Sequence, residues 1–163
     1  MRYFWLVILA LGLFGQAGCA EVRTYSGPEV TRVVVMKSDR KLYLLNEKTV
    51  LKSYDIDLGF APVGAKSRQG DGRTPEGRYW IDRKNPNSAF YLSVGISYPN
   101  AEDRRRARAA GVEPGGDIFV HGARRPGDKR GPDWTAGCIS VSNREIEEIY
   151  AMVKIGTIID IFP

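Results

Sequence analysis

The chain has 163 residues, 43% of them hydrophobic and 26% charged, with a formal charge of +5. That length suits one domain with a sizeable core, and the composition excludes fibrous and wholly disordered classes. The basic balance favours anionic partners such as nucleic acid, lipid headgroups or wall polymers, and the compartment must choose among them.

Residues 1–20 read as an export signal. Arg2 gives a positive start, Tyr3 to Phe14 is apolar apart from Gly12, and Gly15 to Ala20 is small and weakly polar. The apolar run is too short for a bilayer core, which needs about 20 residues. Export argues against a nucleic-acid partner. Two routes of signal removal stay open. Gln16-Ala17-Gly18-Cys19 resembles a bacterial lipobox in three of its four positions, which would make Cys19 a lipidated first residue and anchor the protein on a membrane. Cleavage after Ala20, with small Gly18 three residues before the cut, is the other route. Both take Cys19 out of intramolecular pairing. Cys138 is then a lone thiol in an oxidising compartment, which excludes a disulfide-stapled fold and marks a candidate reactive group.

Residues 21–29 lack periodicity and contain Ser26-Gly27-Pro28, so they read as a linker, and the folded domain spans 30–163. Val33 to Met36, Lys41 to Asn46 and Val50 to Gly59 are predicted strands of a meander, separated by the turn residues Ser38-Asp39 and Asn46-Glu47-Lys48. In the third, Tyr54, Ile56 and Leu58 alternate with Ser53, Asp55 and Asp57, a period of two. Ala61 to Pro75, with Gly64, Gly70 and Gly72, reads as a long surface loop beside the site. Strands resume at Arg78 to Asp82 and Phe90 to Ile96. Ala101 to Ala110 is a short helix ended by Gly111, and its Arg104, Arg105, Arg106 and Arg108 read as a solvated face, with a docking patch for anionic polymer as the other reading.

Asp117 to His121 is a predicted strand, and an extended loop follows from Gly122 to Gly137. Ser142 and Glu145 have the spacing of a capping box. The helix after it carries Ile146, Ile149, Tyr150 and Val153 on one face and should pack on the sheet. Thr157 to Phe162 closes the chain as a strand. The fold class is therefore mainly β, with one principal amphipathic helix after Cys138.

His121 is the sole histidine. Placed at a strand end before a glycine, it can deliver an imidazole to a cleft, and Gly137 lets backbone approach a substrate beside Cys138. A thiol paired with an imidazole is what thiol catalysis needs, since the thiolate is the nucleophile and the ring supplies acid and base steps. Each residue alone has a plainer reading, a small buried hydrophobe for Cys138 and an ordinary side chain for His121. One His and one Cys are too few for a zinc site, and no G-x-S-x-G elbow points to a serine hydrolase.

His121-Gly122, a loop, then Thr135-Ala136-Gly137-Cys138-Ile139-Ser140 resembles the signature of the L,D-transpeptidase (YkuD-type) family, H-G followed by S/T-H-G-C-(aliphatic)-R/N. Gly72-Arg73-Thr74-Pro75-Glu76-Gly77-Arg78-Tyr79 matches the family's T-P-x-G-x-(aromatic) strand opening. Ala136 stands where most members have His, and Ser140 where they have Arg or Asn. Asp133 to Asn143, with Gly95-Ile96-Ser97-Tyr98-Pro99-Asn100, is similar to a branch of short exported members, the YafK-like branch.

The resemblance implies a β-sandwich or barrel. Cys138 would be the nucleophile and His121 the general base and acid, with the Gly122 carbonyl orienting the ring and the Gly137 N–H, with that of Cys138, facing the oxyanion. It implies peptidoglycan stem peptides as substrate, commonly cut between diaminopimelate and D-alanine, and no metal or organic cofactor. An amine from another stem or from a lipoprotein lysine would make the reaction transpeptidation. Water would make it a carboxypeptidase, or an amidase releasing lipoprotein from the wall. A non-catalytic wall-binding module is the reading of a different class. Roles for Arg68, Arg73, Arg124 and Arg125 in holding substrate stay open, as does a covering role for the loop from Ala123 to Ala136.

Overall fold

The computed structural model of the protein describes residues 24–123 and 131–163. The export segment, Cys19, Arg124, Arg125 and Gly127 lie outside these residues. Five strands form one half of the sheet: β1 (Arg32–Met36), β2 (Lys41–Asn46), β3 (Thr49–Asp55), β4 (Gly77–Ser88) and β8 (Ile158–Phe162). Three more, β5 (Tyr91–Ile96), β6 (Phe119–His121) and β7 (Ile139–Ser140), carry the other half, and the order across all eight is β3-β2-β1-β8-β4-β5-β6-β7. The pairs β1–β8 and β6–β7 are parallel and the rest are antiparallel.

The meander forms because its strands alternate. Val33, Val35, Leu42 and Leu44 are buried, and the residues between them reach the surface. The alternation through Tyr54, Ile56 and Leu58 is also present, since all three are buried, but the ladder with β2 stops at Asp55 rather than Gly59. Beyond it the chain crosses to the far edge of the sheet. Asp57 and Ser140 exchange both backbone hydrogen bonds, at 2.9 and 2.8 Å, and Gly59 bridges Thr135. The two sheet edges are thus joined, giving the expected barrel-like architecture.

β4 runs six residues past the expected Asp82, to Ser88, because its two halves have different partners. Gly77 to Trp80 pair with β8, and Ile81 to Ser88 with β5. Pro86 is tolerated at a register shift where β5 alone lies alongside. β5 begins at Tyr91 rather than Phe90, and β6 at Phe119 rather than Asp117, whose φ of +53° breaks the extended chain.

Helix α1 (Ala101–Ala109) opens on a capping box between Asn100 and Asp103. Its four arginines are exposed; Arg105 pairs with Glu102 and Arg106 with Asp103, so they form a solvated face. Helix α2 (Asn143–Met152) opens on the Ser142–Glu145 capping box and buries Ile146 and Ile149 against β5 and β6. That packing fixes the strand that ends in His121. Among the described residues no helix is long and apolar enough to cross a membrane.

Candidate active site

The backbone of His121 is held on both sides, opposite Ser93 of β5 and Ser140 of β7, and its carbonyl accepts from the Val141 N–H at 3.0 Å. The residue is 3% exposed. Its Nδ1 lies 2.8 Å from the Gly122 carbonyl oxygen. A carbonyl can only accept, so Nδ1 carries the proton and Nε2 holds the basic lone pair. Phe90 stacks on the ring at 4.5 Å between centroids, and Trp134 meets it edge-on at 5.6 Å. The Ser140 hydroxyl donates to the same Gly122 carbonyl at 3.4 Å. Burial pushes the imidazole below its ordinary pKa, and the Gly122 hydrogen bond opposes this.

Cys138 sits in the turn before β7, between two bonds made by Thr135. The Thr135 hydroxyl donates to the Cys138 carbonyl at 2.7 Å and accepts from the Gly137 N–H at 3.1 Å. The Gly137 N–H, expected at the oxyanion, is therefore engaged here by a side chain that the sequence reading did not single out. Gly137 has φ +133°, and a Cβ there would stand 2.6 Å from the Arg73 carbonyl oxygen, so the turn needs glycine. The thiol donates to the Asp117 carbonyl at 3.5 Å. Burial pushes the thiol above its ordinary pKa; the Phe119 backbone N–H and Lys66 oppose the rise, and the Asp117 carboxylate adds to it. Both shifts favour a neutral thiol beside a neutral imidazole over a resting ion pair.

The loop from Ala61 to Pro75, expected at the surface, is partly buried and built around Asp71. The Asp71 carboxylate accepts from the backbone N–H groups of Ser67, Arg68 and Arg73 at 2.7, 3.1 and 3.1 Å, and from Lys66 Nζ at 2.9 Å. Both side chains of the ion pair are buried. Burial alone would raise the Asp71 pKa, but these four donors outweigh it and hold the carboxyl at about 2. The locked turn delivers Gly72 O to the Ala61 N–H at 3.1 Å and sets Arg73 O against Gly137. Arg68 and Arg73 are themselves exposed.

His121 and Cys138 line one cavity of about 280 Å³, with Phe90, Ser93, Asp117 and Phe119 among its walls. Both residues that the sequence singles out as candidates, His121 and Cys138, come together at this cavity. Sequence reasoning missed Phe90 and Asp117, which come from other strand ends and carry no motif. Asp71 had one local signal, a carboxylate four residues after Ser67 in a glycine-rich stretch, as side-chain-closed turns use. Among the described residues, no three His, Cys, Asp or Glu side chains gather as metal ligands would.

Residues 30–161 match the L,D-transpeptidase catalytic domain, YkuD. The chain belongs to this family. It is 32% identical over 127 residues to the L,D-transpeptidase-like protein YafK of Escherichia coli K12, an alignment covering 74% of this chain and 46% of YafK. The crystal structure of the helical cell shape determining protein Pgp2 from Campylobacter jejuni superposes with a TM-score of 0.64 at 25% identity, over 84% of this chain and 49% of Pgp2. L,D-transpeptidase 1 of Mycobacterium tuberculosis shares the fold, with a TM-score of 0.53 at 15% identity over 83% of this chain and 62% of that one. The chain spans about half the length of the curated relatives it matches.

Proposed function

We propose that the protein is a cell-envelope L,D-transpeptidase that acts on peptidoglycan stem peptides through a thioester on Cys138. The observation that carries this reading is the pinned imidazole: with Nδ1 committed to the Gly122 carbonyl, His121 offers a basic nitrogen in the cavity that holds the Cys138 thiol. A binding module has no need of that pairing.

In the first step Nε2 takes the thiol proton as Sγ attacks the carbonyl on the L-centre side of an L-to-D peptide bond. The oxyanion is met by the Cys138 N–H, and by the Gly137 N–H shared with Thr135; losing one such donor commonly lowers kcat by about 10²-fold or more. The imidazolium then gives its proton to the departing amine as the C–N bond breaks, leaving the acyl group as a thioester. An incoming amine or water loses a proton to His121 and attacks the thioester, and the proton returns to the thiolate. A stem or lipoprotein amine gives a cross-link, whereas water gives hydrolysis. No cofactor enters these steps. Export by residues 1–20, with or without a lipid on Cys19, puts the enzyme beside its substrate.

The test is intact-protein mass spectrometry of the full-length chain with stem tetrapeptides and an amine acceptor. An acyl adduct on Cys138 with loss of the terminal D-residue is expected, followed by cross-linked product; trimmed peptide alone would make the enzyme a hydrolase. Cys138→Ala should lower turnover by at least about 10⁴-fold. Full activity in that variant would end the proposal.

A further inference from the structure

Trp134 closes one side of the His121 imidazole, and its own position is set by an ion pair from a distant turn. The residue lies between two fixed neighbours. After it, the Thr135 N–H donates to the Leu58 carbonyl at 3.1 Å, and the Thr135 carbonyl accepts from the Phe60 N–H at 2.9 Å. Before it, Asp133 is held largely through its side chain. Asp133 Oδ1 accepts from the Leu58 N–H at 2.9 Å, and the Asp133 N–H donates to Asp57 Oδ1 at 3.3 Å.

Arg40, 93 residues earlier in the turn between β1 and β2, adds a charged hold on Asp133. Its Nη2 donates to Asp133 Oδ2 at 2.7 Å, and its Nε reaches Oδ1 at 3.0 Å and Oδ2 at 3.2 Å, a guanidinium fork on a carboxylate. The Asp133 side chain is 17% exposed, so water screens this pair less than it would one at the surface. Arg40 is itself fixed: Nη1 donates to the Lys37 carbonyl, and the Arg40 carbonyl accepts from the Ile56 N–H at 3.0 Å. Both residues of the pair have left-handed backbone, with φ +51°, a conformation that a side chain as large as arginine seldom adopts unless its surroundings impose it.

The consequence reaches His121. The Gly122 carbonyl fixes one edge of the ring, but a hydrogen bond at one edge leaves the plane free to rock. Phe90, stacked at 4.5 Å, and Trp134, edge-on at 5.6 Å, oppose that motion. Trp134 also packs on Phe90, at 5.6 Å between centroids, so a shift of the indole disturbs both contacts.

We propose that Arg40 is a positioning residue for His121, holding the imidazole plane through Asp133 and Trp134. Its effect on turnover rests on the acyl-transfer reading, and its effect on the ring does not.

NMR of the full-length protein tests the second part without substrate. His121 is the sole histidine, so its imidazole Cε1–Hε1 group gives one signal, whose position carries the ring currents of Phe90 and Trp134. Arg40→Met keeps the length of the stem and removes the fork. The signal should move, and the rate at which the acyl adduct appears on Cys138 should fall about tenfold, less than the roughly 10²-fold that a 1 Å misplacement can cost. Arg40→Lys keeps the charge without the fork and should fall between the two proteins in both readouts. Should Arg40→Met fail to fold, Asp133→Asn, which keeps an acceptor for Leu58, should show the same displaced signal. Arg78→Met is the control for loosening of the sheet: it strips a two-bond pair from Asp160, and it should lower the melting temperature with the signal and the rate in place. An unmoved signal in folded Arg40→Met or Asp133→Asn, a moved signal with an unchanged rate, or an equal displacement in Arg78→Met overturns the proposal. If the signal moves and even the unsubstituted protein forms no adduct, the hold on the ring stands and the acyl-transfer reading falls.

Discussion

His121 and Cys138 reach one cavity from supports of different kinds. His121 ends a strand with a paired neighbour on each side, under a helix, and its ring is clamped by Phe90, Trp134 and the Gly122 carbonyl. Cys138 lies in a turn whose shape comes from outside it: the Thr135 hydroxyl on one side, and on the other the Arg73 carbonyl, set by the Asp71 turn. In the proposed reaction, regular structure holds the group that keeps its orientation while its charge changes. Irregular structure holds the group whose backbone, in that reaction, approaches the substrate. Perturbing the first support should therefore show in the pH dependence of the reaction, and perturbing the second in its rate at all pH values.

His121→Gln should give the larger loss, about 10³-fold in acylation rate, within the range of a general base. The profile sharpens the comparison. Burial lowers the imidazole pKa, so in the unsubstituted enzyme the acylation rate should rise with pH along an acid limb whose midpoint lies below pH 6.5, where the ring becomes able to take the thiol proton. In the Gln variant that limb should vanish and the rate should follow the thiolate, which burial confines to alkaline pH. An identical acid limb in both proteins would remove His121 from the base role. Gly137→Ala comes next, with an expected loss of about 10²-fold in kcat. Its new Cβ meets the Arg73 carbonyl at 2.6 Å in a conformation unfavourable to L-residues, and the acid limb should stay in place.

Asp71→Asn tests the support at one remove, by leaving Lys66 buried without its counter-charge. The expected cost is roughly 2–3 kcal/mol of stability, somewhat below that of breaking a buried ion pair outright, because the amide keeps one acceptor oxygen. Turnover should fall about tenfold, a smaller loss than from altering the turn itself. The Asp71 carboxyl titrates at about 2 when folded, against an ordinary value of about 3.9. Its contribution is therefore present above pH 4 and lost as pH falls towards 2, so the stability gap between the two proteins should close across that window in acid denaturation followed by circular dichroism. A constant gap would count against the carboxylate.

The same contrast marks what the sequence made legible. Strands with alternating side chains and the capped helix were readable: Lys41–Asn46 has the expected bounds, and the Ser142–Glu145 capping box opens α2. His121 stood out as the only histidine at a strand end. β7 was not readable, because two residues carry no period, and Pro86 in a polar stretch hid the second half of β4. The Asp71 turn read as surface because charged residues in a glycine-rich loop usually are, and only its partners show why Lys66 and Asp71 are buried. The aromatic clamp on His121 joins residues distant in sequence, and no local pattern announces such a contact.

Ser140→Ala gives the smallest effect and the narrowest reading. Ser140 does two separate things: its backbone joins the sheet edges through Asp57, and its hydroxyl donates to the Gly122 carbonyl that orients the imidazole. Alanine keeps the first and deletes the second, so the melting temperature should change little while kcat falls about two- to threefold. The loss is small because a 3.4 Å bond is long, and the Nδ1–H of His121 still holds the carbonyl at 2.8 Å. With one donor removed, the carbonyl serves the imidazole alone. Since that bond raises the ring's pKa, the acid limb should move slightly upward. A fall in melting temperature with kcat and the acid limb in place would mean that Ser140 serves the closure of the sheet and has no part in holding the base.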